Sequence, residues 1–297
     1  MKTYVAIDIG GTMIKYGLIS EEGHILEKHM MATEAEQGGP GIMSKVMTII
    51  DYFNANHTLS GICLSSAGMV DPDKGEIFFS GPTIPNYAGT QFKSVLEQKY
   101  RIPCEIENDV NCAGLAEVVS GSAKRSKVTL CLTIGTGIGG CLLTESDVFH
   151  GYSNSACEIG YLPMGEANFQ ELASTTTLVR SVAEAHSENV SDWNGYRVFE
   201  EAKKGNSTCI TEIDRMVDYL GRGIATICYV VNPQTVVLGG GIMGQKEYLK
   251  EKIEESINRH LLSSLAEKTT LVFAHYENDA GMLGAFYHFM NIHREGV

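Results

Sequence analysis

Residues 4 to 19 read YVAIDIGGTMIKYGLI, and residues 128 to 143 read VTLCLTIGTGIGGCLL. Each is an apolar, β-rich run that meets a Gly/Thr turn and then resumes as a strand, with period-two alternation in the second strand of the first pair. Both are expected to be strand–turn–strand units with glycine at the tip. A theme stated near the start and repeated mid-chain predicts a protein built from two similar halves. Working outward, Ile42, Val46, Ile49, Ile50 and Phe53 fall at helical spacing, and Gly61 to Ser65 reads as a short buried strand before a glycine-containing loop. Further on, Val217, Leu220, Ile224, Ile227, Cys228 and Val231 form a helical stripe that Asn232-Pro233 stops. The run TVVLGGG from Thr235 resumes a strand, and the tail from Gly281 is helical through Leu283, Phe286 and Met290. Alternating strand and helix patterns define an α/β chain.

At 297 residues the chain is long enough for two domains, each able to bury its own core. No Pro-rich linker or charge run interrupts it, so the boundary is expected to be a structural hinge rather than a tether. Hydrophobic residues make up 43% and charged residues 20%, ordinary globular usage. A formal charge of -13 argues against non-specific nucleic-acid binding, which needs clustered Lys and Arg. The eight cysteines are scattered, none in a CxxC pair, and several lie inside apolar runs, as expected for reduced, buried thiols. No secretory leader and no apolar stretch of membrane-spanning length is read, so the expected location is cytoplasmic, away from membranes.

Three glycine clusters carry the chemistry. Asp8-Ile9-Gly10-Gly11-Thr12 places an acid beside a hairpin tip whose glycines permit φ > 0 and close approach of backbone N–H groups to a phosphate, while the Asp can hold Mg²⁺. A tight type I′ turn explains that tip equally well. The stretch Thr133 to Gly140 has four glycines in six residues, a costly choice for a purely structural strand. Gly239-Gly240-Gly241 follows a third strand and offers flat surface to a nucleotide. None of the three fits the Walker A spacing or the dinucleotide fingerprint. Asn108-Asp109 reads, taken alone, as a cap on the helix that starts near Val110.

In order along the chain, DIGGT at 8–12, END at 107–109, TIGTGIGG at 133–140, EIG at 158–160 and VVLGGG at 236–241 resemble the motifs of ROK-family sugar kinases. The resemblance implies two actin-like ATPase (ribonuclease H-like) α/β domains, each with a mixed five-stranded sheet and flanking helices, closing on sugar and ATP in a cleft. The last helix would pack back on the first domain, giving residues 1–117 plus 281–297 and residues 118–280. It implies ATP with Mg²⁺ as cofactors, a homodimer, and phosphorylation of a hexose or hexoside hydroxyl, the 6-hydroxyl by preference. Asp8, Gly10, Gly11 and Thr12 would face the ATP phosphates, with Asp8 on the metal; Gly135, Thr136 and Gly137 would cradle phosphate, and Gly239 and Gly240 would lie near the adenosine. Asp109 takes the catalytic-base position, and Asn108, Gly68 and Glu158 take sugar-contact positions.

Two departures from the family pattern bear on the substrate. Many ROK proteins carry a His after EIG that joins a cysteine-rich segment in a structural zinc site. Here that position is Tyr161, and Leu162 to Leu172 has no cysteine. No structural zinc is expected, since Cys157, Glu166 and His150 make no credible four-ligand set. The family's second sugar-binding Glu falls at Gln170 or Glu171, of which Glu171 is the acid. An aromatic Tyr161 suits the apolar face of a second sugar ring, which points to a β-glucoside such as cellobiose, with glucose and N-acetylmannosamine as competitors and simple space-filling as the alternative for Tyr161. A different class, the sugar-sensing regulators of the same family, adds a DNA-binding module before the first phosphate motif, which here starts at residue 8. A non-catalytic regulator also has no need of Asp8, Asp109 and three glycine clusters together.

Overall fold

The computed structural model describes residues 1–81 and 84–293. The chain divides into two compact units. The first holds Met1–Val119, His150–Ser155 and the segment from Asn278, and the second holds Ser120–Phe149 and Ala156–Glu277. The excursion His150–Ser155 into the first unit has no counterpart in the expected boundaries. Positions 294–297 of the expected first domain lie outside the described residues.

In the first unit the strands are β1 (Thr3–Ile9), β2 (Met13–Ser20), β3 (Ile25–Ala32), β4 (Leu59–Ser66), the β5–β6 pair (Met69–Asp71 and Glu76–Phe79) and β7 (Cys104–Asn108). The helices are α1 (Gly38–Asn54), α2 (Phe92–Tyr100), α3 (Asp109–Val119) and α10 (Ala280–Ile292). The main sheet runs β3-β2-β1-β4-β7, antiparallel through its first three strands and parallel through its last three. Strand alternation decides which helix each face receives. Val5, Ile7 and Ile9 of β1 join the core built with Ile42, Val46, Ile49, Ile50 and Phe53 of α1, where each large side chain contributes roughly 1.5–3 kcal/mol by leaving water. The other face of β1 meets α10: the Tyr4 ring packs edge-on against Phe286 and Phe289, with centroids 5.3 and 5.4 Å away. At the far end of that face, Asp8 meets the first turn of α10, where a Cβ on Gly281 would stand 2.3 Å from the Asp8 carboxyl carbon.

The second unit repeats the plan. Its strands are β8 (Val128–Ile134), β9 (Ile138–Thr144), β10 (Asp147–Val148), β11 (Thr235–Gly239) and β12 (Thr270–Phe273), in the order β10-β9-β8-β11-β12 with the same pattern of directions. Helices α4 (Phe169–Ala173), α5 (Thr175–His186), α6 (Gly195–Lys203), α7 (Ser207–Val231), α8 (Lys246–His260) and α9 (Ser263–Ala266) cover it. The predicted stop of the long helix holds: α7 ends at Val231, and Asn232 takes the left-handed φ of 45° that Asn tolerates. Each unit has its own apolar core. All eight cysteines are free thiols, and among the described residues no helix is long and apolar enough to cross a membrane.

Candidate active site

In the first unit, register brings the acids together. Asp8 pairs across β1–β2 with Lys15 and across β1–β4 with Ser65, so three side chains share one face at the carboxyl end of the strand. Ser65 Oγ donates to Asp8 Oδ1 at 2.7 Å, and Lys15 Nζ lies 3.8 Å from Oδ2. The start of α10 faces the same carboxylate, where a helix N-terminus favours negative charge. Burial still dominates and pushes the Asp8 carboxyl above its usual range, against the opposing pull of Ser65 and Lys15.

Asp109 opens α3. Its Oδ1 accepts from the Val110 N–H at 2.9 Å and from Asn108 Nδ2 at 3.0 Å. Asn108 acts as the cap that the sequence alone allowed, with its Oδ1 accepting from the N–H groups of Val110 (2.9 Å) and Asn111 (3.1 Å), while Nδ2 also donates to the Gly68 carbonyl at 2.9 Å. Asn108 thus does the capping and fixes the carboxylate of its neighbour. Gly68 has φ of 95°, and a Cβ there would stand 2.9 Å from the Phe79 carbonyl, so the loop after β4 needs glycine. Burial first, and the Asp8 charge second, push Asp109 up to about 7. A carboxyl poised near neutrality accepts a proton far better than one at its ordinary value.

The first glycine tip differs from its reading in one respect. Neither Gly10 nor Gly11 adopts positive φ, so the type I′ turn is excluded. The Gly10 N–H donates to the Met13 carbonyl at 3.1 Å, and a Cβ on Gly10 would sit 3.0 Å from that oxygen. Gly11 and Thr12 complete the turn between β1 and β2.

In the second unit, Gly135, Thr136 and Gly137 join β8 to β9, and the Gly135 carbonyl accepts from the Thr175 N–H at 2.9 Å. Gly135 and Thr136 form one wall of a cavity of ≈ 510 Å³, within the range of small-molecule sites. Its other walls include Trp193, Tyr196, Gly241 and Gln245. The glycine of the third cluster that lines the cavity is thus Gly241. Gly239 ends β11, and Gly240 makes the turn with φ of 100°, its Cα so close to β8 that a Cβ would meet the Ile134 carbonyl at 2.2 Å. Trp193 is held rigid: its Nε1–H donates to Glu188 at 2.8 Å, and His186 stacks on its ring. Sequence reasoning passed over this wall, although the chain's single Trp, followed by Asn-Gly at a helix start, was a usable signal.

The sugar-contact candidates of the second unit lie on two short segments, a 3₁₀ turn and the start of α4. Glu158 precedes a 3₁₀ turn at Ile159–Tyr161, and partial desolvation raises its carboxyl above the usual range. The Tyr161 side chain is 57% exposed. Glu171 uses its carboxylate in a capping box, accepting from the Asn168 N–H at 3.0 Å while Asn168 Oδ1 accepts from the Glu171 N–H. The side chain that faces Gly137 and Gly160 is Gln170, whose Oε1 lies 2.5 and 2.9 Å from where their Cβ atoms would be.

The residues fit the two groups that the motifs imply. For a nucleotide, a Cβ on Gly135 or Gly241 would meet open space, and Thr175 Oγ1 at the cavity wall is buried without a partner among the described residues. For Mg²⁺, one carboxylate beside substrate phosphates is the usual arrangement, and Asp8 is the carboxylate next to the first glycine tip. Among the described residues, no group of three or more His, Cys, Asp or Glu is placed to hold a metal ion on its own.

Two sheets of one topology, each with a glycine-tipped strand pair, make the actin-like ATPase fold, and the family match and named sugar-kinase relatives make the chain an ATP-dependent carbohydrate kinase. The chain belongs to the ROK family, whose sequence profile matches residues 4–291. It is 45% identical to an uncharacterised protein of Clostridium perfringens, over 97% of this chain and 98% of that one. It is 30% identical to a β-glucoside kinase of Listeria monocytogenes over 96% of both chains, and 28% identical to a glucokinase of Halalkalibacterium halodurans over 95% and 93%. Among solved structures, a ROK protein of Streptococcus pneumoniae in complex with sucrose superposes with a TM-score of 0.87 at 28% identity, covering 99% of this chain and 100% of that one. A ROK glucokinase of Streptomyces griseus, with glucose and AMPPNP, has the same fold with a TM-score of 0.83 at 24% identity, covering 99% and 100%.

Proposed function

We propose that the chain transfers the γ-phosphoryl group of ATP to the 6-hydroxyl of the non-reducing glucose of a β-glucoside such as cellobiose. The observation that carries the kinase chemistry is Asp109, held by two hydrogen bonds and poised near neutral pH. Phosphoryl transfer demands alignment, charge neutralisation and a carboxylate to accept the hydroxyl proton. Asp109 takes that proton, Asn108 and Gly68 fix the orientation of its carboxylate, and Glu158 accepts hydrogen bonds from ring hydroxyls. The cavity beside Trp193 and Tyr196 takes the nucleoside, with its phosphates toward the Gly135–Thr136 wall, and the Gly10–Thr12 turn is the phosphate-facing segment of the first unit. Asp8 would hold Mg²⁺ with the phosphates, and the ion would supply neutralisation of their developing charge. Family likeness supports a homodimer working in the cytoplasm.

The β-glucoside reading is supported by Tyr161, an exposed ring at the end of the EIG turn that can lie against a second sugar. The Listeria monocytogenes relative is named for that activity, and the Streptococcus pneumoniae relative holds a disaccharide. The expected result is a kcat/KM for cellobiose above those for glucose and N-acetylmannosamine, with Tyr161→Ala narrowing the gap by raising KM for the disaccharide alone. Absence of turnover with cellobiose would end the disaccharide reading and leave glucose as the leading acceptor.

A further inference from the structure

The acid just before Asn108 has no part in the chemistry above, yet it is fully buried and fully bonded. Glu107 Oε1 accepts from the Asn108 N–H at 2.7 Å and from Asn111 Nδ2 at 2.9 Å. Its Oε2 accepts from His150 Nε2 at 2.6 Å and lies 3.5 Å from His288 Nδ1. His150 opens the excursion His150–Ser155, by which the chain joins the first unit before returning to the second at Ala156. We propose that Glu107 and His150 form an ion pair that positions the Asn108–Asp109 turn for phosphoryl transfer. The inference rests on the kinase reading and adds two positioning residues to it.

The connection is a chain of short contacts. His150 holds one Glu107 oxygen, the other oxygen holds the Asn108 backbone, and the Asn108 amide holds Asp109 Oδ1 at 3.0 Å. The charges facing Glu107 come from several elements. Lys93 on α2 and His293 after α10 both sit on Glu105, at 2.7 and 2.9 Å. His288 on α10 is kept below its ordinary value by burial, against the pull of Glu107 and Glu105. Asp109 and Cys112 lie on α3, and Asp73 lies in the β5–β6 turn. This leaves His150 as the cation of Glu107: their hydrogen bond raises His150, with burial opposing it. Burial pushes Glu107 up, but the bond from His150 and the histidine charges outweigh it and leave the carboxyl below its usual range. Removing the His150 charge frees the Glu107 carboxylate to turn toward His288, 3.5 Å away, and in that orientation the Asn108 N–H loses its acceptor.

The test is kcat and KM against pH for the wild type, His150→Gln and Glu107→Gln. The wild type is expected to lose activity on the alkaline side as His150 deprotonates, above the ordinary histidine range. The His150 side chain is 28% exposed, so its replacement opens no core cavity, and thermal unfolding of each variant checks that it is folded. In His150→Gln the alkaline limb disappears and kcat falls about tenfold or more, as expected of a misplaced base, while the sugar KM changes little. Glu107→Gln still accepts from Asn108 and Asn111 without needing a cation, so it keeps most of kcat and also lacks that limb. A purely structural role would lower thermal stability and leave the pH profile and the kcat of folded protein as they were, and that result in both variants would overturn the inference alone. A wild type that consumes no ATP with any sugar would remove the kinase reading and the inference together.

Discussion

Asp109→Asn is expected to lower kcat by ~10²–10⁴-fold, the usual contribution of a general base, while leaving equilibrium sugar binding close to wild type. The same variant should make the protein more stable at pH 8. The Asp109 carboxyl is raised from the ordinary aspartate value to about 7 by burial and by Asp8. Between about pH 4 and pH 7 the folded chain therefore holds a proton that the unfolded chain has released, and stability falls as pH rises through that window. Above pH 7 the whole penalty is present, up to about 4 kcal/mol at 1.36 kcal/mol for each pH unit of displacement. Asparagine keeps the acceptor oxygen for Val110 without the charge. Denaturant unfolding at pH 8 and pH 4 should show a gain for the variant at the higher pH and none at the lower. Near-normal turnover would remove Asp109 from the chemistry, and equal stability at both pH values would show that its carboxyl is not raised.

Asp8→Asn is the second large effect. Loss of the carboxylate proposed to hold Mg²⁺ is expected to lower kcat by ~10²-fold or more and to raise the Mg²⁺ concentration needed for half-maximal rate. It should also move the acid limb of the remaining activity. In the wild type, kcat/KM is expected to fall as pH drops through about 7, because a protonated Asp109 cannot accept the hydroxyl proton in the proposed mechanism. Asp8 is the second cause of that raised value, so removing its charge moves the limb to lower pH. Steady-state rates from pH 5 to 9 at several Mg²⁺ concentrations check both points, and an unmoved limb would show that the two carboxylates do not interact.

Much of this architecture is written in short-range signals. The glycine-tipped strand pairs at 4–19 and 128–143, the α7 stop at Asn232-Pro233 and the apolar faces of α1 and α10 follow from periodicity and turn chemistry. The resemblance then ordered the motifs into two like sheets. What escaped depends on contacts between segments far apart in sequence. His150 meets Glu107 across 43 residues, and nothing local marks an excursion six residues long. The cavity wall from Trp193 to Gln245 is assembled by α6 and the turn after β11. At Gln170 and Glu171 the side-chain directions, which sequence leaves open, decide: one makes a helix cap and the other faces Gly160. Of the two reasons the sequence offered for glycine at Gly10-Gly11, positive φ is not used, and a close backbone approach is seen at Gly10.

The central claim is that Asp109 removes a proton and never itself carries the phosphoryl group. Its direct test is the configuration at phosphorus when ATP made chiral with oxygen isotopes at the γ-position is the donor. One in-line displacement by the sugar hydroxyl predicts a sugar phosphate of inverted configuration. Retention would mean two displacements through a phosphorylated side chain, and would contradict the role assigned to Asp109.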